Sequence, residues 1–158
     1  MATRAGVSNE DVKGFLAKWA RAYDEGSEGF FDSFSKDASI FTISSPTRID
    51  GLEEFKRGFE PYFGQGTRRS QILSPEIKAS GDTAVATFHN RVNVDNRVTN
   101  LRTTVVLSRA DGDLKIIHLH QSPLSTPVAV GAGPVSADTV SLLEERVATA
   151  AAAVGTPK

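Results

Sequence analysis

With 158 residues, no cysteine and a net charge of -1, the chain fits one domain, large enough to remove roughly two-thirds of its unfolded surface from water. Disulfides, thiolate metal sites and a cysteine nucleophile are excluded. Nucleic acid is not an expected partner either, because it calls for a basic face and the nearest approach to one, Arg68-Arg69, is too small a pair and is expected to be solvated.

The opening Met1-Ala-Thr-Arg-Ala-Gly6 lacks the apolar core of a signal peptide, and no apolar run approaches the ~20 residues of a spanning helix. The expectation is a soluble, cytoplasmic protein with no membrane partner. Ser8 is placed to cap a helix whose first turn carries Glu10 and Asp11, near the positive end of the helix dipole. Val12, Phe15, Leu16, Trp19 and Tyr23 then recur at three- and four-residue spacing and form one apolar stripe. Trp19 and Tyr23 read as core or as a pocket wall, since a buried indole N–H or phenol needs a partner.

Gly26 and Gly29 break this helix, and Gly29 to Phe34 reads as a short second one before Lys36-Asp37 turns the chain. Ala38 to Ile43, rich in β-branched and aromatic residues, is the expected first strand. After the loop Ser44-Ser-Pro-Thr47, Asp50 and Glu53 suggest a capping box for a third helix with Leu52, Phe55 and Phe59 on one side, ended near Glu60 by Pro61.

From Thr67 the pattern turns sheet-like. Arg69 to Ala79 is a strand interrupted by Pro75, which marks an edge or a bulge. Ser80-Gly-Asp82 turns into Thr83 to Val94, where Ala84, Ala86, Phe88, Val92 and Val94 share the buried face and His89, Arg91 and Asn93 face elsewhere. Val98 to Arg109 returns with Leu101, Thr103, Val105 and Leu107 on one face and Arg102 and Thr104 on the other, and Asp111-Gly112 signals a hairpin into the last strand.

That strand, Leu114 to Ser122, carries two of the three histidines at alternate positions, so His118 and His120 project from one face and Leu119 and Gln121 from the other. A one-residue difference in register exchanges the faces. With a tight Asp111-Gly112 turn, position 118 pairs with Val105 and the histidines share its face; with a bulge, Leu119 and Gln121 do. Residues 125–134 read as a linker and 135–158 as an alanine-rich helix that docks or frays. The domain proper is 8–124.

Three helices and a strand, followed by four antiparallel strands, give an α+β domain with helices on one face of a curved sheet. This order, with Phe34-x-x-Asp37-Ala38, Gly51 opening a helix, Asp111-Gly112 and His118-x-His120-x-Ser122, resembles the nuclear transport factor 2-like superfamily. Within it, the chain is most similar to the SnoaL-like group and to the association domain of calcium/calmodulin-dependent kinase. The resemblance implies a cystatin-like cone, an antiparallel sheet wrapped around the long N-terminal helix and a pocket, with self-association as dimers or larger rings through the outer sheet face.

Activity does not follow from the fold. Ketosteroid isomerases of this superfamily place a base carboxylate where Ile40-Phe-Thr42 stands here, and the aspartate–arginine–aspartate set of limonene epoxide hydrolases finds only Arg91, Arg102 and the turn residue Asp95. The pocket arginines of the kinase association domain correspond to Asn90 or Arg91, then Val105, then Gln121. A pocket of this kind favours a neutral or weakly charged organic ligand.

The leading expectation is a small-molecule-binding protein without assigned chemistry. Its aromatic lining would draw on Phe15, Trp19, Phe41, Phe55, Phe59 and Phe88, with Asn90, Arg91, Arg102, Val105, Leu119 and Gln121 also at the site. One alternative is an isomerase, dehydratase or cyclase using His118 or His120 as acid or base. The other is an oligomerisation module. No cofactor and no metal site are expected: His89 lies on a strand one removed from the last, roughly 9 to 10 Å from the other histidines.

Overall fold

The computed structural model describes residues 6–124, so the segments read as a linker (125–134) and a terminal helix (135–158) lie outside the described residues. The first element, α1 (Asn9–Glu25), begins where the side chain and backbone of Ser8 exchange hydrogen bonds with Asp11, the reciprocal capping box that satisfies two orphan N–H groups. Its apolar stripe buries Val12, Leu16, Trp19 and Ala22. The helix ends at Gly26, whose φ of 65° lets the N–H turn back to the carbonyls of Ala22 and Tyr23.

The short α2 (Gly29–Asp32) buries both Phe30 and Phe31. With Phe34, Phe55, Phe59 and Phe63 these rings form an aromatic cluster, in which Phe30 and Phe63 stack at 5.0 Å and Phe55 and Phe59 at 5.2 Å. Such packing fixes α3 (Leu52–Phe59) against α2 and the first strand.

Strand β1 (Phe34–Phe41) starts four residues before the expected Ala38, so Lys36-Asp37 is strand and not turn. Parallel pairing with the last strand and the burial of Phe34 provide the reason. A two-residue β2 (Ile49–Asp50), missed in the sequence, pairs with β1. It also removes the expected Asp50–Glu53 capping box: Gly51 is the cap of α3, the Asp50 carboxylate takes the Arg48 guanidinium at 2.6 Å, and Glu54 accepts from the Asp50 N–H.

Four long strands follow: β3 (Arg68–Ser80), β4 (Thr83–Val94), β5 (Arg97–Ala110) and β6 (Asp113–Pro123). They complete a curved, unclosed sheet in the order β2-β1-β6-β5-β4-β3. The Asp95-Asn96 and Asp111-Gly112 turns have positive φ at both central residues, the backbone of tight hairpin turns matched to strand twist. Pro75 sits on edge strand β3 beside Ser74 at φ 50°, where the pairing with β4 shifts between Leu73 and Glu76, so it marks both an edge and a bulge. The core between α1 and the sheet is closed by fully buried Ile40, Val105, Leu107 and Ile116.

One irregularity orients the site. Although Asp111-Gly112 closes tightly, with Ala110 opposite Asp113, the β5–β6 register shifts between Val106 and Leu107. Leu107 faces Ile116 while Val106 faces His118, leaving Ile117 as the extra residue of a bulge within the strand. The expected link between a tight turn and inward histidines is therefore corrected. Val105 pairs with Leu119, and Ile116 and Leu119 both point into the core.

Candidate functional site

Beyond the aromatic cluster, α1 does not close fully on the sheet, and a cavity of about 270 Å³ remains. Trp19, Ala20 and Tyr23 of α1 form one wall, with Phe30, Phe55 and Phe59 beside them. The sheet contributes Asn90 and Val92 of β4, Leu101 of β5, and Leu119 and Gln121 of β6. Thr42, Ile43 and Ser44, where β1 runs out into its loop, complete the lining on another side. Tyr23 is the only titratable residue among the described residues that line it.

Six of the residues assigned to the site from the sequence meet here, Trp19, Phe55, Phe59, Asn90, Leu119 and Gln121, and Tyr23, read as core or pocket wall, joins them. Phe88 and Val105 lie on the same inner face but are packed into the core, Phe88 with its ring edge-on to Trp19 at 6.3 Å. Phe15 packs on the core as a half-buried residue and does not line the cavity. Of the two candidates left open for the first pocket-arginine position, Asn90 takes the inward position, while Arg91 belongs to the opposite face.

The remaining candidates, His118, His120, Phe41, Arg91 and Arg102, share the outer face of the sheet. His118 Nδ1 hydrogen-bonds Ser39 Oγ at 2.7 Å, and Phe41 packs beside His120 with centroids 5.0 Å apart. Arg102 Nε donates to Ser122 Oγ, and Arg91 joins Arg69, Gln71 and Asn93 around a shallow polar depression. His89 pairs with Arg102 across β4 and β5, so strand β5 separates it from the histidines of β6 and the three imidazoles do not converge. Asp95 stays in its turn, accepting from the Thr67 N–H at 2.9 Å.

Two polar atoms at the cavity residues stand out chemically. Trp19 and Asn90 are 5% and 6% exposed, and neither the indole Nε1–H nor Asn90 Oδ1 has a hydrogen-bonding partner among the described residues. Thr103 Oγ1, also unpartnered, is on the same inner face, opposite Gln121 and diagonal to Asn90. Each such orphan costs about 1–3 kcal/mol relative to a satisfied group.

A charged frame holds the end of α1 beside the cavity. Asp24 Oδ1 accepts from the backbone N–H and the hydroxyl of Ser70, both at 2.8 Å. Burial nevertheless pushes its carboxyl above the ordinary range, opposed by the Ser70 hydrogen bonds and by Arg68 and Arg69. Burial likewise raises the Tyr23 phenol. Arg68 donates to the carbonyls of Tyr23, Asp24 and Gln65 and lies over the Tyr23 and Phe63 rings, so its charge serves the backbone.

Several lining residues escaped the sequence reading. Ser70, Ile72 and Thr99 looked like ordinary strand positions, and Thr42 to Ser44 like a strand end and a loop. The β3–β4 register pairs Ser70 with Val92 and Ile72 with Asn90, and the β4–β5 register pairs Val92 with Thr99, which puts Ser70, Ile72 and Thr99 on the inner face.

The SnoaL-like domain model matches residues 12–126, well over half the chain. The chain belongs to the SnoaL-like family. A comparison with curated proteins finds no match. Among solved structures, this SnoaL-like domain is similar to a candidate calcium/calmodulin-dependent protein kinase II association domain from Xanthomonas campestris, at 19% identity over 80% of this chain and 95% of that one, with a TM-score of 0.68. A candidate dehydratase of the nuclear transport factor 2-like family from Streptomyces avermitilis aligns at 16% identity over 74% and 96% of the two chains, TM-score 0.68. A candidate ketosteroid isomerase from Parabacteroides distasonis aligns at 21% identity over 79% and 94%, TM-score 0.66. At these identities the likeness establishes the shared fold and leaves the chemistry to the site.

Proposed function

We propose that this SnoaL-like domain binds a small, neutral or weakly charged organic molecule between α1 and the sheet. The observation that carries this reading is the cavity of about 270 Å³, lined by aromatic, aliphatic and uncharged polar residues, with no Asp, Glu, Lys, Arg or His among the described residues that line it. Concave, mostly apolar sites with a few polar groups are the usual form of small-molecule pockets, and this one lies just below their ~300–1,000 Å³ range. The occupant is accordingly compact. The names of two structural neighbours invoke isomerase and dehydratase chemistry, but acid–base work needs a titrating group within reach of the substrate. His118 and His120 are on the far side of the sheet, next to Ser39 and Phe41.

The test is calorimetric titration with a panel of compact neutral organic molecules, using the wild-type protein and Ala20→Phe, which fills the cavity from the α1 wall. Saturable binding that Ala20→Phe removes while the thermal midpoint stays within a few degrees is the expected result. Binding that persists undiminished in the filled variant places the ligand elsewhere and overturns the reading.

The outer sheet face favours self-association as a second role. Phe41 is 36% exposed there beside His118 and His120, and Val98 is 43% exposed farther along the same face; the likeness to a candidate association domain favours self-association. Sedimentation of wild type and Phe41→Glu checks it: an oligomer that the substitution leaves unchanged would exclude this part of the face.

A further inference from the structure

We propose a second binding site, on the outer face of the sheet, where Arg69, Gln71, Arg91 and Asn93 take a phosphate monoester. In the β3–β4 register Arg69 stands opposite Asn93 and Gln71 opposite Arg91. Their strand neighbours Ser70, Ile72, Asn90 and Val92 line the cavity on the inner face, so alternation puts these four on the outer one. Together they border a depression of about 180 Å³. Arg69 and Arg91 are diagonal across it, and diagonal neighbours stand roughly 7–8 Å apart, within reach of long side chains, so both guanidiniums can meet one group held between them.

These donors are accessible and unspent. Arg69 is exposed and the other three residues are half-buried. Ion pairs among the described residues employ Lys13, Arg48, Lys56, Lys78 and Arg109, and side-chain hydrogen bonds engage Arg68 and Arg102 besides; Arg69 and Arg91 take part in neither. The acids at this corner are committed elsewhere, Asp24 Oδ1 to Ser70 and Asp95 Oδ1 to the Thr67 N–H. Two like charges thus stand side by side with no counter-ion within bonding distance, an arrangement that repels itself until an anion enters.

The donor set selects among anions. Two guanidiniums and two carboxamides present a double positive charge and more N–H groups than the two oxygens of a carboxylate engage. A phosphate monoester near pH 7 carries a charge of about −1.5 to −2 and three acceptor oxygens, and the planar fork of a guanidinium matches it bidentately. Strand β5 separates the site from His118 and His120 on β6, and the sheet itself separates it from the cavity, so it is independent of both roles proposed above.

NMR titration of isotope-labelled protein reads weak binding residue by residue, with inorganic phosphate, glycerol phosphate and acetate as probes at constant ionic strength set with chloride. Both phosphates should give saturable shifts at residues 69–71 and 91–93, with affinity about tenfold lower in Arg91→Gln and in Arg69→Gln, about tenfold lower for acetate, and unchanged in Ala20→Phe. Either arginine variant suffices if the other fails to fold. Phosphatidylcholine vesicles with and without phosphatidic acid then identify the source: cosedimentation that needs phosphatidic acid and is lost in Arg91→Gln assigns a lipid headgroup, and protein left in solution assigns a soluble ester. Acetate as tight as phosphate, shifts no larger than chloride alone produces, or phosphate binding undiminished in the arginine variants overturns the proposal.

Discussion

The bulge at Ile117 decides which face of β6 meets the cavity, and the paired substitutions Leu119→Ala and His118→Ala test that assignment. Leu119 is 2% exposed and lines the cavity, whereas His118 faces outward, paired with Val106 and bonded to Ser39. Leucine-to-alanine changes in cores cost about 2–5 kcal/mol. Because one side of Leu119 already borders open space, fewer packed atoms are lost there, and the expected cost is toward the lower end, about 2.5 kcal/mol. His118→Ala removes one partly buried hydrogen bond, worth about 0.5–1.5 kcal/mol. Urea unfolding reads both: with an m-value of about 1.5 kcal/mol/M, the leucine variant shifts the midpoint by roughly 1.7 M and the histidine variant by less than about 1 M. The histidine change should also leave ligand affinity within about twofold, since it removes nothing from the cavity wall. If His118→Ala costs as much as Leu119→Ala, or abolishes binding in a folded protein, the register is the other one and the reasoning fails.

The remaining predictions concern α1. Its capping hydroxyl makes Ser8→Ala destabilising by about 1 kcal/mol, read as a lowered thermal midpoint; separately, the Ser8 backbone N–H, the Ser8 side chain and Arg109 lower the Asp11 carboxyl, so the stability that this carboxylate contributes should be present above the ordinary value of 3.8 and be lost as pH falls through the depressed value, which a pH series of wild-type and Asp11→Asn melts would show as converging midpoints in acid. Asp24 has the opposite sign: burial raises its carboxyl above 3.8, so the folded state holds the proton more tightly, and stability should decline as pH rises from the ordinary value through the raised one. Asp24→Asn, which keeps an acceptor for Ser70, should flatten that decline, and an unchanged slope would refute the assignment to this residue.

Local chemistry alone determined much of the architecture. Ser8 and the stripe from Val12 to Trp19 specify a capped amphipathic helix because side-chain spacing and orphan N–H groups are local matters. The Asp-Asn and Asp-Gly pairs specify hairpins because few other residues tolerate positive φ at both positions. From these the order of helices and strands, and with it the family, could be read. The aromatic and apolar character of the inner face was equally legible.

What tertiary structure decided was which side chains converge. Strand β1 extends back to Phe34 because β6 lies beside it in parallel, a partner some eighty residues distant in the chain. A trace of the bulge does exist in the sequence: Leu114 and Ile116 keep one alternation phase, Ile117 and Leu119 the other. That phase slip is ambiguous in a strand apolar on both faces, where either register buries something greasy. Burial of Ile116 and Leu119 together against α1 resolves it, since a sheet curved around a helix gains more from filling that concave side than from strict alternation. The histidines were thereby turned away from the cavity, and Asn90, a strand amide with no motif around it, was placed on the face that lines it.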